Sequence, residues 1–172
     1  MAVIDALKVR REFNSDNLEV LYIGDRNGVE KKMVEKAGHS KGGLGIEFRG
    51  VACGKVRRYF SLQNFVDIFK VPIGVWEAYN ILKEVKPNVV FSKGGFVSVP
   101  VVLAARKLKI PIILHESDLV PGLANKICAR YAEKICISFE ESRAFFEKFA
   151  RNGRAKIIYT GNPIRKNIIK GD

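Results

Sequence analysis

Six short apolar runs recur along the chain, at Leu18 to Gly24, Ile46 to Cys53, Asn88 to Phe91, Ile110 to Leu114, Lys134 to Ile137 and Lys156 to Tyr159. Each suits a strand buried on both faces of a parallel sheet. Helical spacing fills most of the intervals. Val29, Met33 and Ala37 share one face ahead of Gly38, and Leu123, Ile127 and Tyr131 share another. Ser138 with Glu141 reads as a capping box in front of Phe145, Phe146 and Phe149. Strand alternating with helix predicts a doubly wound, mostly parallel, Rossmann-like α/β sheet whose ligands bind at the carboxyl ends of the strands. There is no internal repeat and no low-complexity linker.

The two ends read differently from the middle. Ala2, Val3, Ile4, Ala6 and Leu7 form an amphipathic helical pattern directly after Met1, with no strand before it. In a doubly wound fold such a helix follows a first strand and a glycine-rich loop, so the pattern reads as a domain entered in mid-unit. At the other end a basic tail follows Gly161-Asn162-Pro163-Ile164-Arg165, where a second domain would attach.

Composition narrows the class. The 172 residues suit one compact domain, and 47% hydrophobic content with 15 glycines excludes a disordered tail, a collagen-like fibre and a disulfide-stapled miniprotein. Thirty Lys and Arg against 18 Asp and Glu give a net charge of +12, which calls for an anionic partner without naming it. Cys53, Cys128 and Cys136 form no CxxC pair and leave one over, the usage of buried thiols in a reduced compartment. The longest apolar stretch, Val97 to Ala105, is interrupted by Ser98 and Pro100 and is shorter than the roughly 18 residues of a spanning helix. With no signal-like start, the expected residence is cytoplasmic, at a surface.

Four segments carry candidate chemistry. Lys93-Gly94-Gly95-Phe96 lies between a strand and a helix with Pro100 in its first turn. Exposed N–H groups, the positive end of the helix dipole and Lys93 suit a phosphate or diphosphate there, although a plain tight turn has the same residues. His115-Glu116-Ser117-Asp118 ends another strand. His115 or Glu116 is placed to move a proton, and Ser117 and Asp118 either bond sugar hydroxyls or cap the following helix. His39 has no second ligand nearby, so no metal site is expected. The segment Arg57 to Trp76 is too apolar for one helix face. Val75, Ala78, Tyr79 and Leu82 make a core stripe, leaving Trp76 to its side and Ile73 nearly opposite. Either the remaining apolar residues, rimmed by Arg57 and Arg58, meet an anionic membrane, or a helix broken at Pro72 packs under another domain. Arg165, after a strand, either reaches a ligand held between two lobes or is a surface arginine.

Lys93 through Pro100, Ile113 through Asp118 with Pro121 through Lys126, and Thr160 through Arg165 stand in an order and spacing that resemble the lipid II-forming N-acetylglucosaminyltransferases of glycosyltransferase family 28. The resemblance spans nearly the whole chain. It implies a lobe of a two-lobed GT-B enzyme of bacterial peptidoglycan synthesis, peripheral at the cytoplasmic face of the cell membrane. Residues 1–165 would be the amino-terminal acceptor lobe and 166–172 the start of an interdomain linker. By this resemblance, the family's first strand and GGTGGH loop would lie before Ala2, and its carboxyl-terminal donor lobe would be absent from these residues.

By the same resemblance, Lys93, Gly94, Gly95 and Phe96 face the diphosphate of lipid I, and Asp118 and Arg165 contact UDP-N-acetylglucosamine. An ionised Asp118 donates no hydrogen bond where relatives often carry Asn. Arg57, Arg58, Phe65, Phe69, Ile73 and Trp76 match the family's membrane patch. Glu116 and His115 are the catalytic candidates, and no cofactor or metal is implied. The leading expectation is part of a transferase, inactive by itself. A stand-alone acceptor and membrane-binding subunit, working with a separate donor chain, is the alternative, and a nucleic-acid module rests on charge alone.

Overall fold

The structure, a computed structural model, describes residues 2–4, 18–39, 46–53, 62–151, 153 and 155–164, with the backbone alone for 35–39 and 62–70. These residues fall into two compact units, those up to Gly50 together with those from Asn162, and Val51–Gly161. In the first, β1 (Val20–Asp25) hydrogen-bonds to β2 (Ile46–Val51), with α1 (Glu30–His39) between them in sequence. Tyr22 and Phe48 stack across the pair at 6.0 Å.

The second unit holds the site. Its sheet runs β3 (Val90–Ser92), β4 (Ile112–Glu116), β5 (Lys134–Ile137) and β6 (Lys156–Tyr159), every pairing parallel and every neighbour consecutive. Helices α2 (Leu62–Val85), α3 (Ser98–Lys107), α4 (Leu123–Cys128) and α5 (Glu147–Arg151) and a 3-10 turn at Glu140–Phe145 complete it. This is the expected Rossmann-like arrangement. Ile112 and Leu114 of β4, Ile135 and Ile137 of β5, Val102 of α3, Cys128 of α4 and Phe146 are almost wholly removed from water. Each large apolar side chain so buried contributes about 1.5–3 kcal/mol.

Local chemistry fixes where the elements stop. Helix α3 ends in a Schellman motif, with Ile110 N–H donating to the Ala105 carbonyl at 3.0 Å and Lys109 N–H to Arg106 at 3.1 Å. Lys109 takes the left-handed conformation, φ +58°, that glycine usually supplies. The turn delivers the chain straight into β4. Against α2, the Ala52 N–H donates to Glu77 Oε2 at 2.6 Å, and a Cβ on Gly74 would lie 2.2 Å from the Ala52 carbonyl oxygen. The segment after β2 therefore lies directly on α2.

Four local expectations are corrected. Val29 and Met33 are exposed, and Val34 is buried. In α4 the buried face is Ala124, Asn125 and Cys128, and Leu123 is exposed. Ser138 makes no cap, because its hydroxyl donates to the Glu116 carbonyl and the 3-10 turn begins without a side-chain cap. Helix α2 continues through Pro72 rather than breaking there. The stripe of α2 holds, with Ala78 and Leu82 buried and Val75 and Tyr79 half-buried.

Candidate functional site

Two loops at the carboxyl ends of β3 and β4 build the site. After β3, Gly94 and Gly95 have φ of +89° and +82°, a conformation that side chains rarely adopt. Ser98 Oγ donates to the Gly94 carbonyl at 2.6 Å, and Gly94 N–H donates to Ser92 Oγ at 3.3 Å. The loop is thereby tied to the strand before it and the helix after it. Gly94 lies against α4, where a Cβ would come within 2.6 Å of Asn125 Oδ1, whereas a Cβ on Gly95 would meet nothing within 4 Å. Gly94 is needed for close packing and Gly95 leaves an open approach.

Lys93 extends from this loop across to the end of β4. Its Nζ donates to Ser117 Oγ at 2.7 Å and lies 3.1 Å from His115 Nδ1. His115 Nε2 lies 3.2 Å from the Gly161 carbonyl oxygen, which only accepts, so Nε2 carries the proton and Nδ1 presents its lone pair to Lys93 and Ser117. Burial pushes the His115 pKa below its ordinary 6.5; the Gly161 carbonyl opposes this, Lys93 adds to it and Glu116 opposes it. Burial likewise lowers the Lys93 pKa, against the attraction of Glu116 and Asp118. The arrangement is a neutral imidazole holding an ammonium group in place beside a glycine loop.

Glu116 points inward. It is almost wholly buried, with Oε1 accepting the Asp118 N–H at 2.9 Å and Oε2 accepting Asn125 Nδ2 at 2.7 Å. Its carbonyl accepts both the N–H and the hydroxyl of Ser138, at 3.0 and 2.9 Å. Both carboxylate oxygens hold backbone or amide donors, which ties Glu116 to α4 and to the turn after β4. Ser117 and Asp118 do not cap α4, whose N-cap is Gly122 and which has no side-chain cap.

The structure thus brings Lys93, Gly94, His115, Glu116 and Asp118 together around the carboxyl ends of β3 and β4. Gly95 and Phe96 continue the same loop, with Phe96 exposed. Ile73 and Trp76 are 52% and 67% exposed on α2. Phe65 and Phe69 lie in the helical backbone with side chains outside the description, and Arg57, Arg58 and Arg165 lie outside the described residues. Asn125 and Ser138 are the contributors that pattern reading missed, since their partners are set only by the fold. Among the described residues, no group of three or more His, Cys, Asp or Glu is placed to hold a metal, and no helix is long and apolar enough to cross a membrane.

Comparison with known proteins gives this arrangement its context. The chain is 45% identical over all 172 residues to the UDP-N-acetylglucosamine-N-acetylmuramyl-(pentapeptide) pyrophosphoryl-undecaprenol N-acetylglucosamine transferase 2 of Bacillus anthracis, covering 44% of that protein. It is 49% identical over 154 residues, 90% of the chain, to the transferase of that name from Lachnoclostridium phytofermentans, covering 40% of it. The chain therefore spans less than half the length of these relatives. In fold it resembles Acinetobacter baumannii MurG, at 23% identity and a TM-score of 0.64 over 96% of this chain and 43% of that one. It also resembles the Neisseria meningitidis UDP-GlcNAc 2-epimerase bound to UDP-GlcNAc, at 15% identity and a TM-score of 0.61 over 94% of this chain and 42% of that one. Residues 3–137 match the glycosyltransferase family 28 N-terminal domain, and the chain belongs to that family.

Proposed function

We propose that this chain is the acceptor side of a glycosyltransferase that moves N-acetylglucosamine from UDP-N-acetylglucosamine to lipid I, giving lipid II. The observation that carries the reading is the Lys93–Phe96 loop. Its open glycine and its lysine stand at the edge of a parallel sheet, in a chain 45% identical along its length to a transferase named for a pyrophosphoryl-undecaprenol substrate. Gly95 leaves the backbone open to a diphosphate, and Lys93 supplies the countercharge.

In this reading the acceptor hydroxyl oxygen bonds to the anomeric carbon of the sugar as the bond from that carbon to UDP breaks. A base takes the hydroxyl proton and the electron pair leaves with UDP. Lys93 binds and orients the acceptor diphosphate. His115, neutral and with its one lone pair at Nδ1 facing Lys93 and Ser117, serves as the base once Lys93 turns to the acceptor diphosphate. Asp118 and Arg165 serve the sugar nucleotide, and no metal takes part. Ile73 and Trp76, with Arg57, Arg58, Phe65 and Phe69, form the membrane-facing surface that keeps the protein at the cytoplasmic face of the bacterial membrane. Residues 1–165 act as the acceptor lobe, and transfer requires a donor lobe as well.

The test is titration of the purified chain with a short-chain lipid I analogue, followed by amide resonances. Gly94 and Gly95 are expected to shift, and Lys93→Ala to weaken binding about tenfold, as loss of one charge-assisted contact does. Binding that ignores Lys93→Ala, or shifts confined to other elements, would overturn the assignment. The chain alone is expected to transfer no radiolabelled N-acetylglucosamine, and transfer by it would overturn the need for a second lobe.

A further inference from the structure

Asn125 stands in the first turn of α4, is 6% exposed, and has an amide oxygen with no hydrogen-bond partner. Among the described residues no other buried side-chain nitrogen or oxygen is left so. An unpartnered buried acceptor is unfavourable, and leucine would fill a similar volume without one. The amide is explained by what it touches. Its Nδ2 donates to Glu116 Oε2 at 2.7 Å, while Glu116 Oε1 takes the Asp118 N–H, so the carboxylate is held between α4 and the turn after β4. Its Oδ1 is turned to Gly94, at 2.6 Å from where a Cβ would stand. One amide therefore abuts both loops of the site, and it fixes the glycine loop by contact and the Asp118 turn through Glu116.

We propose that Asn125 is a positioning residue that sets the Lys93–Phe96 loop against the Glu116 turn, acting through Gly94 and Glu116 without touching the ligand. The proposal rests on the diphosphate reading of that loop for its consequence, and on Asn125's own contacts for its geometry. It makes a distinction that packing alone does not. In Asn125→Asp a second carboxylate faces Glu116, and the pair cannot both be ionised in that buried place without repulsion. When the two share one proton, a carboxyl O–H donates to the other carboxylate as the amide did.

The test is Asn125→Asp and Asn125→Leu against the parent chain, with farnesyl diphosphate as probe and the Gly94 and Gly95 amide resonances as a ligand-free signature. His115, Lys93 and Asp118 surround the same strand end and carry or gain charge, so each variant is compared with the parent at the same pH. At about pH 8 Asn125→Asp is expected to displace both glycine resonances and bind about tenfold more weakly, and near pH 5 to return within about threefold of the parent. Asn125→Leu stays weak at both. Recovery with pH in one protein separates positioning from failure to fold. Parent-like glycine resonances and affinity for Asn125→Leu, which supplies no donor at any pH, would overturn the proposal. If the parent itself does not bind farnesyl diphosphate, the diphosphate reading fails, and the glycine resonances of Asn125→Leu still decide the positioning role.

Discussion

Alanine at Gly94 and alanine at Gly95 carry the same backbone penalty and differ in one contact. With φ at +89° and +82°, each substitution places a Cβ in the left-handed region, at a cost of about 1–2 kcal/mol. At Gly95 nothing lies within 4 Å of that Cβ, so the cost stops there. At Gly94 the Cβ would lie 2.6 Å from Asn125 Oδ1, 2.8 Å from Nδ2 and 3.0 Å from Cγ. The amide has to move, and Glu116 Oε2 then loses its donor in a buried place, which adds about 1.5–3 kcal/mol for a hydrogen bond to a charged group. Gly94→Ala should therefore destabilise by about 2.5–5 kcal/mol and Gly95→Ala by about 1–2 kcal/mol, against the roughly 5–15 kcal/mol that holds a domain of this size. Urea unfolding followed by far-ultraviolet circular dichroism, with the slope required to stay unchanged, reads the difference. Values for the two variants that agree within about 0.5 kcal/mol would refute the clamp between the glycine loop and Asn125.

Three further outcomes are expected. Because His115 titrates lower when folded than its ordinary 6.5, the unfolded chain binds the extra proton first; its contribution to stability is whole above about 6.5 and is lost as pH falls through the lower folded value. His115→Asn should flatten the fall of the urea midpoint below that pH, and an unchanged slope would contradict the neutral imidazole. Trp76→Ala, at an exposed position, should change stability by less than about 0.5 kcal/mol while reducing retention on phosphatidylglycerol vesicles, and equal retention would remove Trp76 from the membrane surface. Burial pushes the Cys128 thiol up to about 12, so iodoacetamide should label it only in urea, and labelling in the fold would show that α4 opens.

Much of this fold was legible because β-branched runs bounded by turn residues leave little choice. Lys134 to Ile137 and Lys156 to Tyr159 are strands with the expected bounds, and β4 starts two residues later than expected only because the Schellman turn of α3 takes up Ile110. Helix faces were less legible. Leu123, Ile127 and Tyr131 satisfy a helical period, but α4 turns Ala124, Asn125 and Cys128 inward because its amide has a carboxylate to meet. Ser138 looked like a cap from its neighbours in sequence and is instead drawn to a carbonyl 22 residues away.

The site divides in the same manner. That polar residues would gather at the ends of β3 and β4 follows from the alternation of strand and helix. That Lys93 reaches Ser117, that His115 turns one nitrogen to Gly161, and that both oxygens of Glu116 hold donors are tertiary facts that spacing does not encode.

The central claim is that the loop at Lys93–Phe96 holds the diphosphate of a lipid-linked acceptor. Sedimentation of the purified chain with phosphatidylglycerol vesicles, with and without lipid I, tests it most directly. The account predicts greater retention when lipid I is present, with the excess lost in Lys93→Ala. Equal retention on both vesicles, or an excess that survives Lys93→Ala, would contradict it.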